Sequence, residues 1–192
     1  QCHEKGIKGL VIITAGFKET GPEGLKAEQA LLEKIRAYGM RCVGPNCLGV
    51  VNTHPSIRMD GCFAEALPER GDIGFVSQSG ALGGGILNIL KDLNLGFAQF
   101  ISIGNQADIN AETAMEYWEN EEDVKQILLY MESIQNPANF RRLATRISKK
   151  KPILALKAGR SAAGASAASS HTGSLAGADM AADALLRQSG VI

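Results

Sequence analysis

Short apolar runs alternate along the chain with segments whose apolar residues return every three or four positions. Residues 8–14, KGLVIIT, form an unbroken apolar run rich in β-branched residues. That pattern predicts a strand buried on both faces, as in a parallel sheet. From Glu23 to Tyr38, Leu25, Leu32, Ile35 and Tyr38 recur at helical spacing, and Gly39 stops the helix. Residues 40–43 predict a second short strand, followed by the tight loop GPNCLG over 44–49. From residue 71 the alternation restarts. Residues 73–76, 97–103, 125–130 and 152–156 read as strands. Between the first two, Leu82, Ile86, Ile89, Leu90 and Leu93 mark a helix. A second helix runs to about Asn120, and Phe140, Leu143, Ala144 and Ile147 mark a third. The last covers about residues 176–188. Strand, helix and strand at this spacing predict a parallel sheet with right-handed crossovers. The expected fold class is therefore α/β, with a flavodoxin-like doubly wound parallel sheet over 71–192. Residues 54–70 lack periodicity and contain Pro55, Gly61 and Pro68, which predicts a connector.

Composition narrows this picture only slightly. The chain has 192 residues, 45% of them hydrophobic, and 20 basic against 20 acidic side chains. A soluble globular protein of one or two domains fits. Zero net charge supplies no argument for nucleic acid or an anionic membrane. Cys2, Cys42, Cys47 and Cys62 form no CxxC pair, and His3, His54 and His171 are scattered, so no zinc site is expected. Reduced thiols fit a cytoplasmic protein, and no signal peptide or spanning helix is read. The chain opens as if in the tail of a helix and closes at Val191-Ile192 as if starting a strand, so a fragment of a longer protein is expected. Glu119, Glu121, Glu122 and Asp123, and the three lysines at 149–151, read as solvated helix ends.

Candidate chemistry lies in four loops. Ligands of a parallel sheet sit beyond the carboxyl ends of its strands. There the sequence places Ser77-Gln78-Ser79-Gly80, then 104–108 (GNQAD), then Glu132-Ser133, and lastly the tract around Ser170-His171-Thr172-Gly173. Ser79 and Gly80 open a helix, so they form either an anion cradle or an ordinary serine N-cap. They match neither a dinucleotide fingerprint nor a P-loop, and are not a hydrolase elbow. His171 sits in a Gly/Ala/Ser tract that taken alone reads first as a flexible loop, the other reading being a nucleophile beside an anion site. Glu132, at a strand end, either faces water or accepts an imidazole N–H and fixes its tautomer.

Taken in order, residues 44–49 (GPNCLG), 77–82 (SQSGAL), 102–108 (SIGNQAD), 156–161 (LKAGRS) and 170–177 (SHTGSLAG) resemble the nucleoside-diphosphate-forming acyl-CoA synthetases. The ADP-forming acetyl-CoA synthetases are the nearer type and the succinyl-CoA synthetase α subunit the more distant one. The resemblance covers essentially the whole chain. It implies that acyl-CoA and phosphate give an acyl phosphate, which phosphorylates His171, and that the histidine loop carries the phosphoryl group to ADP. Glu132 would be the partner of His171, and Ser79, Gly80 and Gly173 would hold phosphate. Residues 1–53 would be the second half of a Rossmann-like CoA-binding domain, with Thr14, Ala15, Gly16, Pro45 and Asn46 near CoA. ATP or ADP and Mg²⁺ would belong to an ATP-grasp domain or β subunit, and the chain itself would hold no metal. An oligomer is implied. The succinyl-CoA enzymes carry Glu at the position of Ala15 and Tyr at that of Gly84, which implies a different acyl pocket. The alternative is a non-catalytic acyl-CoA or ligand-sensing domain of a protein acetyltransferase. A receiver domain is disfavoured because the strand over 73–76 ends in Ser77-Gln78 rather than an acidic pair.

Overall fold

The structure, a computed structural model, describes residues 1–64, 69–158 and 179–192. Its largest sheet has six strands. In chain order they are β3 (Gly49–Asn52), β4 (Met59–Cys62), β5 (Arg70–Ser77), β6 (Phe97–Ser102), β7 (Gln126–Met131) and β8 (Ile153–Lys157). The spatial order is β4-β3-β6-β5-β7-β8. The last four in space are mutually parallel, as βα alternation requires. Strand β3 pairs antiparallel with both β6 and β4.

Helices cover both faces. Helix α2 (Gly80–Asp92) buries Leu87 in a cluster with Phe75, Phe97 and Phe100. On the other face α3 (Ala111–Trp118), α4 (Pro137–Ile147) and α5 (Asp179–Gln188) pack over Val76, Ile127 and Leu129. Strand β5 feeds both layers because its side chains alternate: Phe75 belongs to one cluster and Val76 to the other. Trp118 is fully buried, and its indole N–H is satisfied by Gln99 Oε1 at 2.9 Å, as a buried indole requires. Ile192 pairs with β8, donating to Ile153 O at 2.9 Å and accepting from Ala155 N at 2.8 Å. Val191 N donates back to Leu186 O at 3.0 Å, so the contact with β8 is confined to Ile192.

A smaller unit precedes this sheet. Strand β1 (Gly9–Val11) pairs parallel with β2 (Arg41–Val43), and α1 (Pro22–Ala37) connects them. Its buried cluster has only Ile35, Met40 and Cys42. Three expectations need correction here. The run over 8–14 is a strand only at 9–11 and is not buried on both faces, since Val11 and Ile13 are 41% and 53% exposed. Two strands with one helix cannot cover both sides of β1. The stretch 54–70, expected as a connector, contains β4 and the first residue of β5. Residues 49–52 also belong to the large sheet rather than to the unit before it. The hairpin was missed because MDGC over 59–62 alternates in neither period, and its residues are exposed or half-buried.

The acidic and basic clusters are also less solvated than expected. Glu119 is buried, accepting from Arg146 at 3.1 and 2.6 Å and from Lys150 at 2.8 Å. The Lys150 hydrogen bond, together with the Arg146 guanidinium, outweighs burial and holds its carboxyl below the usual range. Lys151 donates to the carbonyls of Trp118 and Glu121. These groups tie the C-terminal end of α3 to that of α4.

Candidate active site

The loops after β5, β6 and β7 meet the GPNC loop over one cavity of about 810 Å³. Its walls include Ser79, Gly80 and Ala81 at the start of α2, Asn105 and Gln106 after β6, and Glu132 and Ser133 after β7. The smaller unit contributes Ile13, Lys18, Glu19 and Asn46, with Cys47, Leu48 and Phe63 completing an apolar side.

The first wall is built by β5 ending in a bend. Ser77 Oγ donates to Ser79 O at 2.7 Å, and Gln78 N donates to Tyr130 O at 3.1 Å. Ser79 then caps α2, its Oγ accepting from Leu82 N at 3.3 Å. Helix geometry supplies no intrahelical acceptor for the N–H groups of Gly80 and Ala81, which line the cavity. With the positive end of the helix dipole behind them, they suit an anion. The cap and the anion site are thus compatible, not alternatives. At Gly83 α2 lies close to the sheet: a Cβ there would lie 3.1 Å from Ser77 Oγ and 3.2 Å from Phe100.

The second wall turns on Gln78, which is 7% exposed. Its Oε1 accepts from the backbone of Glu132 at 2.7 Å and of Ser133 at 2.9 Å. Its Nε2 donates to Ser133 O at 2.7 Å and to Gln106 Oε1 at 3.4 Å. One amide therefore ties three loops.

The third wall comes from the smaller unit. Asn105 Nδ2 donates to Glu19 Oε2 at 2.5 Å and to the buried Glu28 Oε2 at 2.7 Å. Lys18 Nζ donates to the Asn105 carbonyl. Glu19 also accepts from Gly16 N at 2.6 Å and Phe17 N at 3.1 Å. Burial pushes its carboxyl up, but the Asn105 and backbone N–H donors outweigh this and hold it below the usual range. Lys18 is the one cationic side chain lining the cavity among the described residues.

A family model described as the succinyl-CoA ligase like flavodoxin domain matches residues 70–192. The chain belongs to that family. Over all 192 residues it is 47% identical to subunit alpha of the ADP-forming acetate–CoA ligase II of Pyrococcus furiosus, of which it covers 41%. It is 42% identical over 194 aligned positions to the ADP-forming 4-hydroxybutyrate–CoA ligase of Nitrosopumilus maritimus, covering 28% of it. The fold superposes on a dinucleotide-forming acetyl-coenzyme A synthetase 1 from Ca. Korarchaeum cryptofilum, solved in complex with phosphate and ADP. That match has a TM-score of 0.90 at 35% identity and covers this whole chain and 41% of that one. The chain thus spans less than half the length of these relatives. The resemblance drawn from the motifs is borne out along the entire sequence.

Of the residues singled out in the sequence, Ser79, Gly80, Glu132 and Asn46 line the one cavity. Thr14 and Pro45 act through their carbonyls, accepting from Asn46 N at 3.1 Å and Asn105 N at 2.9 Å. Ala15 and Gly16 are exposed in the loop before Lys18. Thr14, Ala15, Gly16 and Pro45 are not among the cavity-lining residues. His171 and Gly173 lie outside the described residues. Sequence reading missed Gln78, Asn105, Lys18 and Glu19 as individual contributors. Polar residues in loops carry no periodic signal, and their partners are far away in the chain.

Proposed function

We propose that this chain is the acyl-CoA and phosphohistidine part of an ADP-forming acyl-CoA synthetase. The whole enzyme would interconvert acyl-CoA, phosphate and ADP with acid, CoA and ATP. The cavity that puts Ser79-Gly80 and Glu132 on neighbouring walls carries the reading: an anion site beside a carboxylate suits a histidine that accepts and gives up a phosphoryl group. Phosphate would be held by the N–H groups at the start of α2, with Ser79, Gly80 and Gly173. An acyl phosphate forms as phosphate oxygen attacks the thioester carbonyl and CoA leaves as the thiol. His171 then attacks phosphorus and the carboxylate leaves. Glu132 would accept the second imidazole N–H, keeping the attacking nitrogen unprotonated.

Residues 1–48 would contribute to a CoA-binding Rossmann-like domain and the unit over 71–192 would bear the histidine, with the β3–β4 hairpin between them adding two strands to its sheet. The fit to CoA is supported by the cavity's reach into the GPNC loop, where Asn46 lines it. Thr14, Ala15, Gly16 and Pro45 would border CoA outside that cavity. ATP or ADP and Mg²⁺ would be held by an ATP-grasp partner, in a cytoplasmic oligomer. Among the described residues no helix is long and apolar enough to cross a membrane. The named relatives are ligases and a synthetase, which supports catalysis over ligand sensing.

The test uses the full-length enzyme with its ATP-grasp partner, labelled ATP and Mg²⁺. Acid-labile, base-stable label on the His171 peptide is expected. His171→Ala should abolish both the label and turnover. Normal turnover in that variant would sink the mechanism.

A further inference from the structure

We infer that Gln78 is the positioning residue for Glu132, so that the strand-end amide, and not the β7 turn alone, sets where the carboxylate stands. The inference rests on the role proposed above for Glu132. Residues 132 and 133 leave β7 with no helix to fix them until α4 begins at Pro137. What fixes the turn is Gln78 Oε1, which accepts the N–H of Glu132 and of Ser133, while Nε2 donates to Ser133 O. The amide orientation is set by its partners: exchanging oxygen and nitrogen would aim two donors at two N–H groups. The hub is buried, so a bond lost there is not made good by water. Its backbone is fixed as well, by Tyr130 O on one side and by the capped start of α2 on the other. The anion-binding helix start and the Glu132 turn are therefore registered to each other by one side chain. A shift of an ångström at a reacting centre can lower a rate by roughly 10²-fold.

The experiment is a double-mutant cycle in the full-length enzyme with its ATP-grasp partner. It compares Gln78→Met, Glu132→Gln and the double variant, with kcat, KM and histidine label measured for each. Glu132→Gln should lower kcat by roughly 10²-fold or more. Gln78→Met should lower kcat by roughly 10-fold to 10²-fold, with KM for acyl-CoA and phosphate within about twofold. In the Glu132→Gln background the same change should cost less than about twofold, because there is no carboxylate left to place. Multiplying losses, or a loss confined to KM, would mean that Gln78 only supports the loop, and would overturn the inference. A Glu132→Gln enzyme at full rate removes both the role of Glu132 and its positioning. A Gln78→Met enzyme at full rate, with Glu132→Gln impaired, removes the positioning alone. Should Gln78→Met not accumulate folded, Gln78→Asn keeps the amide but is one methylene too short to reach. It goes through the same cycle with the same readings.

Discussion

The two β-sheets began as the same kind of pattern and ended in different physical situations. Strand β7 is an apolar run whose residues Ile127, Leu129 and Met131 are at most 1% exposed. Strand β1 is an equally apolar run, yet Val11 is 41% exposed and the strand has a single partner, β2. The large sheet is held by two continuous apolar clusters. The small unit has three buried hydrophobic residues, and its attachment to the large one is mostly polar. Asp108, its side chain 5% exposed, accepts from Arg41 Nε at 2.7 Å and from Cys42 N at 3.0 Å, with Arg36 at 3.8 Å. Backbone donors of Asn105, Ala107 and Ile109 reach the carbonyls of Pro45, Gly44 and Cys42. The difference teaches that an apolar run states what a strand needs, while its neighbours decide whether it gets it. It also makes the small unit dependent on a few close contacts, which local opening measurements can find.

The sharpest of these contacts is Gly104. Its φ is +50°, and a Cβ there would lie 2.3 Å from both Asn46 O and Pro45 O. Backbone on that side cannot yield as a flexible side chain would. Gly104→Ala should therefore cost roughly 3 kcal/mol or more, from strain plus the forced separation. Hydrogen exchange read by peptide should show the loss in residues 41–46 and leave β7 slow. Faster exchange of both sheets alike would mean they open as one unit and would break the comparison.

How much of this was legible follows from the range of each signal. The βα alternation and the meeting of loops at the carboxyl edge were readable because a strand or helix writes its own period into ten or so residues. Ser79 and Glu132 could be picked out because the element on one side of each was already placed. The hairpin β3–β4 was not readable: its pairing of Gly49 with Cys62 is fixed by close backbone approach, with Gly61 O 2.2 Å from where a Gly49 Cβ would stand. Nothing near Asp108 in the chain marks it as buried, and Glu119 reads as solvated because charged residues usually are. Their burial is compensated by Arg41 and Arg146, which lie 67 and 27 positions away. Gln78 looked like any loop amide, since its function as a hub exists only once three loops are assembled.

Asp108 gives the next largest effect, and it carries a pH signature. Burial pushes its carboxyl up, but the Arg41 hydrogen bond, the Cys42 N–H and the charges of Arg41 and Arg36 together outweigh that and hold it below its ordinary value. A depressed carboxylate contributes stability that is fully present above the unfolded value, about 3.9. That stability is lost as pH falls through the lower, folded value. Attachment of the small unit should therefore weaken only in acid. Asp108→Asn should cost about 1–2 kcal/mol at neutral pH, discounted because both arginines are more than half exposed. The variant should also lose the acid slope. The measurement is the opening free energy of α1 and β2 by hydrogen exchange between neutral pH and about pH 3. An unchanged slope in Asp108→Asn would assign the acid sensitivity elsewhere.

Glu19 should matter least, and that ordering tests the comparison from its other side. Glu19→Gln leaves Asn105 with Glu28 as an acceptor, and the new amide oxygen can still receive the N–H groups of Gly16 and Phe17. A cost of about 0.5 kcal/mol is expected, since neutral hydrogen bonds replace charged ones in a half-exposed loop. Its acid dependence has the same sign as that of Asp108, because its carboxyl too is held low in the fold. Peptide-resolved exchange should register faster opening at residues 16–20 with β2 unaffected. If β2 opened as readily as it does in Asp108→Asn, the loop over 15–21 would be the clasp between the two units. Asp108 would then be a local partner of Arg41 and no more.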